Sequence, residues 1–416
     1  MTGEPSTDVV VGRFYAVSTD AVEEVRLELV ERPLLGAVVE DGMILGPDVK
    51  VGTHAVLVHR EPSGELLGRP VEPISLRDGG LCFDPSQGGV RTRENRRALG
   101  AFNAIVAEAN SFGMVNAYAH VERAARTLNA LLVSIGATPL PPVTVVVGAH
   151  FGSKLPGYAE GDGDRWARNL RPMSGGHYRL SARTTGVAEP FDVSPIGEIH
   201  LGPSRYRKPF AGSLAYLRNA AHNPAIIYHE YGHHLCRHTA DFRLNAERLP
   251  ADQRNGKTAI EEAVCDYVAA VLLDSGRPYG WYRADQGRRR DLDVRRHMSD
   301  IDETDDVHAL GAPWAAALWR SRHELASRDL LASPAEHDLA VLAALANVGT
   351  IAGPGAGDRS RGKRERVRSR PRTFVRELSR ALRDRGGRDA SRATRQILEQ
   401  HGIIAASEAA TEPAAC

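Results

Sequence analysis

The sequence predicts an α+β chain in which a mixed β lobe is followed by a mainly helical lobe and preceded by a small β-rich module. Three observations carry this. Short alternating runs such as "VEEVRLELVER" and "HAVLVHREPSGELLG" fill the first hundred residues. A strand-like region around "VTVVVGAHF", "GHYRLSART" and "GEIHLG" lies in the middle. From about residue 220 onward, apolar residues recur at helical intervals to the end.

Taken in order, residues 1–95 read as the β-rich module, a propeptide-like or recruiting domain, with Pro62-Ser63-Gly64 placed as a hairpin turn between two runs. The Gly/Asp/Pro-rich join "RDGGLCFDPSQGGV" separates it from residues 96–228, which open on a long helical stretch ending "AHVERAARTLNALLVSIG" and continue into the strands. Residues 229–404 form the helical lobe, interrupted by the Gly, Pro and Arg-rich "GTIAGPGAGDRSRGKRERVRSRP", which reads as an exposed loop. Residues 405–416 read as a disordered tail.

Composition excludes several classes. The 416 residues carry 53 basic and 52 acidic side chains, a net charge of +1, so the chain as a whole has no bias toward polyanions or membranes. No stretch reaches the roughly 18 apolar residues of a membrane helix, and the first residues lack the basic start and apolar run of a signal peptide. A cytoplasmic location is expected, with export by a route the sequence does not display left open. Four scattered cysteines without CxxC spacing do not form a disulfide framework.

The chemistry concentrates in "AIIYHEYGHHLCRH". His229, Glu230 and His233 form HExxH, for which random placement predicts about 0.04 occurrences in a chain of this composition. Residues four apart share a helical face, so both imidazoles can reach one zinc ion while Glu230 projects toward a water. His234 and His238 fall off that face and read as exposed or locally bonded side chains.

A two-histidine site needs a third ligand, and "AIEEAVCDYVAAVLL" supplies it. Glu262 would coordinate the metal, and Asp266, one turn on, would accept a hydrogen bond from the outer nitrogen of His229. Glu261 is the competing ligand, but its partner one turn on is Cys265, which cannot orient an imidazole. The pattern HExxHxxGxxH is excluded by Cys236 and Thr239.

"HEYGHHL" followed by "EEAVCDY" resembles the zinc peptidases of the thermolysin and fungalysin type, the gluzincins. "SFGMVNAYAHVERA", "DDVHALGAPWAAALW" and "RTFVRELSRALRDRGG" are similar to segments flanking that family's site, extending the resemblance over residues 101–404. The resemblance implies a two-lobed thermolysin-like zincin fold, zinc as cofactor, and hydrolysis of a peptide or protein substrate. His229, His233 and Glu262 would bind zinc, Glu230 would activate water, and His308 would steady the tetrahedral intermediate. The family's tyrosine after the zinc helix is missing from "CRHTADFRLNAERLPADQRNG"; Tyr267, Tyr279 or Tyr282 would take its place.

"GHYRLSART" or "GEIHLG" is the expected edge strand for an extended substrate, with His177, Tyr178 and His200 alongside and Tyr178 and Tyr282 as substrate contacts. "GDGD" at 161–164 and "DETDD" at 302–306 lack a calcium-ligand register. Residues 359–395 hold fifteen basic side chains against four acidic ones. With Phe374 as their only aromatic, they read as a solvated face plus a loop, so a nucleic-acid partner is not expected. A non-catalytic zinc-containing binding protein, or a nucleic-acid-associated protein using residues 359–395, are the alternative readings.

Overall fold

The computed structural model describes residues 9–18, 26–60, 62, 66–85, 99–151, 171–173, 175–179, 196–203, 219–242, 251–279, 290–302, 306–350 and 371–405. The architecture is mixed α and β, with six α-helices among the described residues. The chain divides into two compact units, one of Met1–Ser18, Leu27–Arg126 and Pro141–Glu230, the other of Thr19–Arg26, Thr127–Leu140 and Tyr231–Cys416.

The first unit is built on a six-stranded mixed sheet. Its strands are β3 (Val38–Glu40), β4 (Met43–Leu45), β5 (Val49–Thr53), β9 (Val143–Val147), β12 (Gly176–Arg179) and β13 (Glu198–Leu201), in the order β12-β13-β9-β5-β4-β3. The near-continuous apolar run of β9 suits its central place, where parallel neighbours β13 and β5 flank it and its valines are buried. Three further pieces belong to the same unit, the shortest being the antiparallel pair of β10 (His150–Phe151) and β11 (Arg171–Pro172). β1 (Val11–Ser18) lies between β2 (Arg26–Pro33) and β8 (Gly80–Leu81), and β6 (Val56–Arg60) forms a hairpin with β7 (Leu66–Pro70), as the Pro-Ser-Gly spacing predicts.

The parallel pairing of β5 with β9, from Val49↔Val143 to Thr53↔Val147, corrects the expectation of a separate module at 1–95. Strands β3 to β5 are half of the central sheet. β3 and β4 pair locally, but one edge of β5 is satisfied by a strand nearly a hundred residues away, a pairing that no local pattern announces.

Helix α1 (Leu99–Ser134) lies on this sheet, where Gly113 lets it approach so closely that a Cβ would stand 3.2 Å from Val147 Cγ1. Its polar run "NAYAH" is buried and fully used. Asn116 accepts from the Tyr15 amide at 2.9 Å and donates to the Ala221 carbonyl at 2.8 Å. His120 Nε2 donates to the Tyr15 carbonyl at 2.8 Å, which leaves Nδ1 to accept from the Tyr228 hydroxyl at 2.8 Å. That hydroxyl belongs to the residue before His229, so α1 steadies the approach to the metal motif.

The second unit holds the remainder of the helices: α3 (Ala251–Leu273), α4 (Val307–Ser327), α5 (Pro334–Thr350) and α6 (Pro371–Gln400), with the second half of α2 (Pro224–His238). Burial lowers the pKa of His120 and of His337 to about 3, and that of His222 to about 4. An unfolded histidine titrates near 6.5, so as pH falls below about 6.5 the unfolded chain binds protons that these folded rings refuse until about pH 3 to 4. Stability is therefore complete above pH 6.5 and declines below it. At pH 5 each ring is expected to cost about 2 kcal/mol. Urea midpoints measured at pH 7.5 and 5 should differ accordingly, and equal midpoints would remove this linkage.

Candidate metal centre

Helix α2 starts on an Asn-Pro pair. Asn223 accepts from the amides of Ala225 at 3.0 Å and Ile226 at 3.4 Å, and Pro224 occupies the first helical position. The helix then carries His229, Glu230 and His233 inward, with 4%, 5% and 4% exposure. His234, expected at the surface or locally bonded, is fully buried between Tyr231 and His238, at centroid distances of 5.4 Å and 4.6 Å.

Two glycines bring three helices of the second unit together. A Cβ on Gly232 of α2 would stand 2.7 Å from Cys265 Cα on α3, and a Cβ on Gly311 of α4 would stand 2.6 Å from the Ala259 carbonyl of α3. Only hydrogen fits at either crossing. The consequence is that Glu261 and Glu262 face His233 from α3 while α4 lays His308 against Glu262.

The donor atoms then converge. His233 Nε2 is 3.5 Å from Glu262 Oε2, and His308 Nε2 is 3.3 Å from the same oxygen. Ligands of a small tetrahedral ion at 2.0–2.1 Å are separated by about 3.3 Å, so these two spacings are of the size that donors around one ion require. His229, Glu262 and His308 each offer an atom within 4.8 Å of one another, and so do His229, His233 and Cys265. Glu262 and His308 thus lie together with His229, and Cys265, considered in the sequence only as the neighbour of Glu261, lies with His229 and His233.

His233 Nδ1 donates to Glu261 Oε1 at 2.8 Å, which fixes the ring orientation and aims Nε2 at the donor cluster. Glu261 is therefore the orienting carboxylate of His233. Spacing along α3 hid this role, because it weighs neighbours on one helix and not the residue across the crossing. Burial opposes protonation of His233, yet Glu262 and Glu261 outweigh it and raise its pKa well above the ordinary range. Glu261→Gln keeps an acceptor but removes the charge, and a 10- to 100-fold weaker zinc affinity in chelator competition is the expected result. Unchanged affinity would reduce Glu261 to packing.

Asp266 holds a second charged pair. It is 2% exposed, takes an ion pair from Arg290, and accepts from the Tyr279 hydroxyl at 3.3 Å. The Tyr279 ring lies 4.1 Å beneath the Arg290 guanidinium. Asp266 and Arg290 together raise a buried charge pair one turn beyond Glu262, a partnership the sequence reading did not foresee. Asp306 caps α4 through the amides of His308 and Ala309 and also meets His308 Nδ1 at 3.1 Å.

In the first unit, β12 is an edge of the sheet and runs past Glu230. A Cβ on Gly176 would stand 2.6 Å from Glu230 Cγ. Glu230 Oε2 is buried and has no hydrogen-bond partner among the described residues. Gly176→Ala should displace this carboxylate, since the added methyl would overlap its Cγ. Tyr178, on the same face of β12, is buried and donates to the Ile196 carbonyl at 2.9 Å, which is a packing role. His200 is likewise buried, against Glu198 at 2.9 Å, rather than facing solvent. Tyr267 bonds His337 at 2.8 Å and Asp338 at 2.5 Å. Tyr282, "GDGD" at 161–164 and residues 351–370 and 406–416 lie outside the described residues.

Buried histidine, glutamate and cysteine side chains here can hold a metal ion. No family model and no curated protein matches the chain. The reading of the site rests on its own chemistry. Glu230, Glu261 and Glu262 are 5%, 3% and 8% exposed, and burying carboxylates without a compensating charge costs several kcal/mol each. A cation held beside the two imidazoles would supply that compensation.

Proposed function

We propose that the chain is a zinc-dependent peptidase of the gluzincin type, in which His229, His233 and Glu262 hold the metal and Glu230 is the general base. The observation that carries this is the 3.3–3.5 Å convergence of imidazole and carboxylate donors on Glu262, together with a buried Glu230 oxygen that has no partner among the described residues. When bound, zinc polarises the scissile carbonyl and acidifies water.

The side chains do the rest. Glu230 takes a proton from the attacking water and passes it to the leaving amine. His308, steadied by Asp306, donates toward the oxygen that gains negative charge, an interaction worth about 3 kcal/mol in comparable sites. The edge of β12 offers backbone groups to an extended peptide, so binding is largely indifferent to side-chain sequence. A peptide or unfolded protein segment is the substrate class.

One observation favours a second reading. His308 Nε2 lies close enough to Glu262 to act as a fourth protein ligand, which would close the site and make the metal structural. The experiment is metal analysis of purified protein together with cleavage of an unstructured peptide. Close to one zinc per chain with chelator-sensitive cleavage supports the peptidase, whereas zinc without cleavage supports the closed site.

A further inference from the structure

Net neutrality conceals a segregated charge. Residues 359–395 hold fifteen of the 53 basic side chains and four of the 52 acidic ones, leaving 38 basic against 48 acidic in the rest of the chain. A merely solvated surface needs charge of either sign, not one sign gathered in one place.

Helix α6 shows how that charge is displayed. Its apolar side is buried through Phe374, Val375, Leu378, Ala381 and Leu382. Arg372, Arg376, Arg380 and Arg383 are exposed, and at 100° per residue they fall within a sector of about 80° over about 17 Å of helix. The row stops short of Gly387, whose φ of 75° interrupts the helix, and Arg388 and Arg392 continue the exposed basic surface beyond it. Two acids flank the row: Asp384, which is exposed, and Glu377, which is 4% exposed and meets Arg376 at 3.0 Å and Arg380 at 3.6 Å. These guanidiniums keep 64% and 71% exposure, so water screens the pairs and leaves donors outward.

We infer that this face of α6 binds the phosphate backbone of a nucleic acid, independently of base sequence. The row consists of arginines, whose planar forks match phosphate oxygens, spaced about 6 Å apart along the helix. No exposed large hydrophobic residue lies on α6, so the face has nothing to insert into a lipid bilayer. It has no exposed aromatic to stack on a base, so recognition stops at the backbone.

The test is fluorescence anisotropy of the full chain with a labelled mixed-sequence DNA duplex across a salt series. Binding whose logarithm falls with log salt at a slope of about −3 or steeper is expected, and Arg376→Gln/Arg380→Gln/Arg383→Gln should make that slope shallower by about 2 to 3. Circular dichroism and zinc content of the variant should match the parent. A second variant, Arg361→Gln/Lys363→Gln/Arg364→Gln, separates the helix from the basic sequence before it. The inference is overturned if no binding occurs in low salt, or if only the second variant weakens it. Equal salt-sensitive capture by phosphatidylserine vesicles, or low-salt dimerisation in place of duplex binding, overturns it as well.

Discussion

Glu230→Gln is expected to retain one zinc per chain and to lose cleavage of an unstructured peptide by about 10²- to 10⁴-fold in kcat. The substitution is nearly isosteric, and Glu230 is not among the residue groups able to hold the metal, so affinity for the ion should stay within about threefold of the parent. What disappears is the group that accepts a proton. Its Oε2, buried beside the β12 edge, would become an amide that cannot take one. KM should move little, because the β12 backbone that would hold the substrate is untouched. Full turnover in this variant would eliminate the general-base assignment, and with it the peptidase reading. An absence of cleavage in both parent and variant, with zinc present, would leave the closed structural site standing.

Asp266→Ala carries the second large effect, and it acts on the fold. The substitution leaves the Arg290 guanidinium in its pocket against Tyr279 with its carboxylate removed. Losing one partner of a buried ion pair costs about 3–5 kcal/mol. The readout is a urea or thermal midpoint measured on metal-free protein, where a metal-mediated contribution is silent. A large loss there means that the pairing with Arg290 dominates. If metal-free stability is unchanged while zinc affinity falls 10- to 100-fold, orientation of a ligand histidine is the greater role. Asp266→Ala/Arg290→Met, which removes both charges, should recover much of the stability lost by the single variant.

The part of the site legible in the sequence is the part that one helix determines by itself. Four-residue spacing put His229 and His233 on one face. Glu262 was reachable because a zinc site with two histidines demands a third donor. The pairings across helices were not legible. Glu261 lost to Glu262 as a ligand by reasoning along α3, yet its partner is on α2, and Arg290 lies in a segment with no motif of its own. Gly232 and Gly311 carried no signal either, since a glycine within a helix declares a cost and not the neighbour that requires it. The same limit applied to the sheet, where alternation identified the strands of the first hundred residues but not that β5 lies beside β9.

The crossings at Gly232 and Gly311 set a gauge for the centre. Side-chain packing can yield by rotamer changes, but main chain pressed on main chain cannot, so the gap between α2, α3 and α4 has a nearly fixed width. Any ion held there would be sorted by radius. A small tetrahedral dication would ask little movement of the donors, whereas calcium, which asks for oxygen ligands at 2.3–2.6 Å and a larger shell, would have to pry the helices apart.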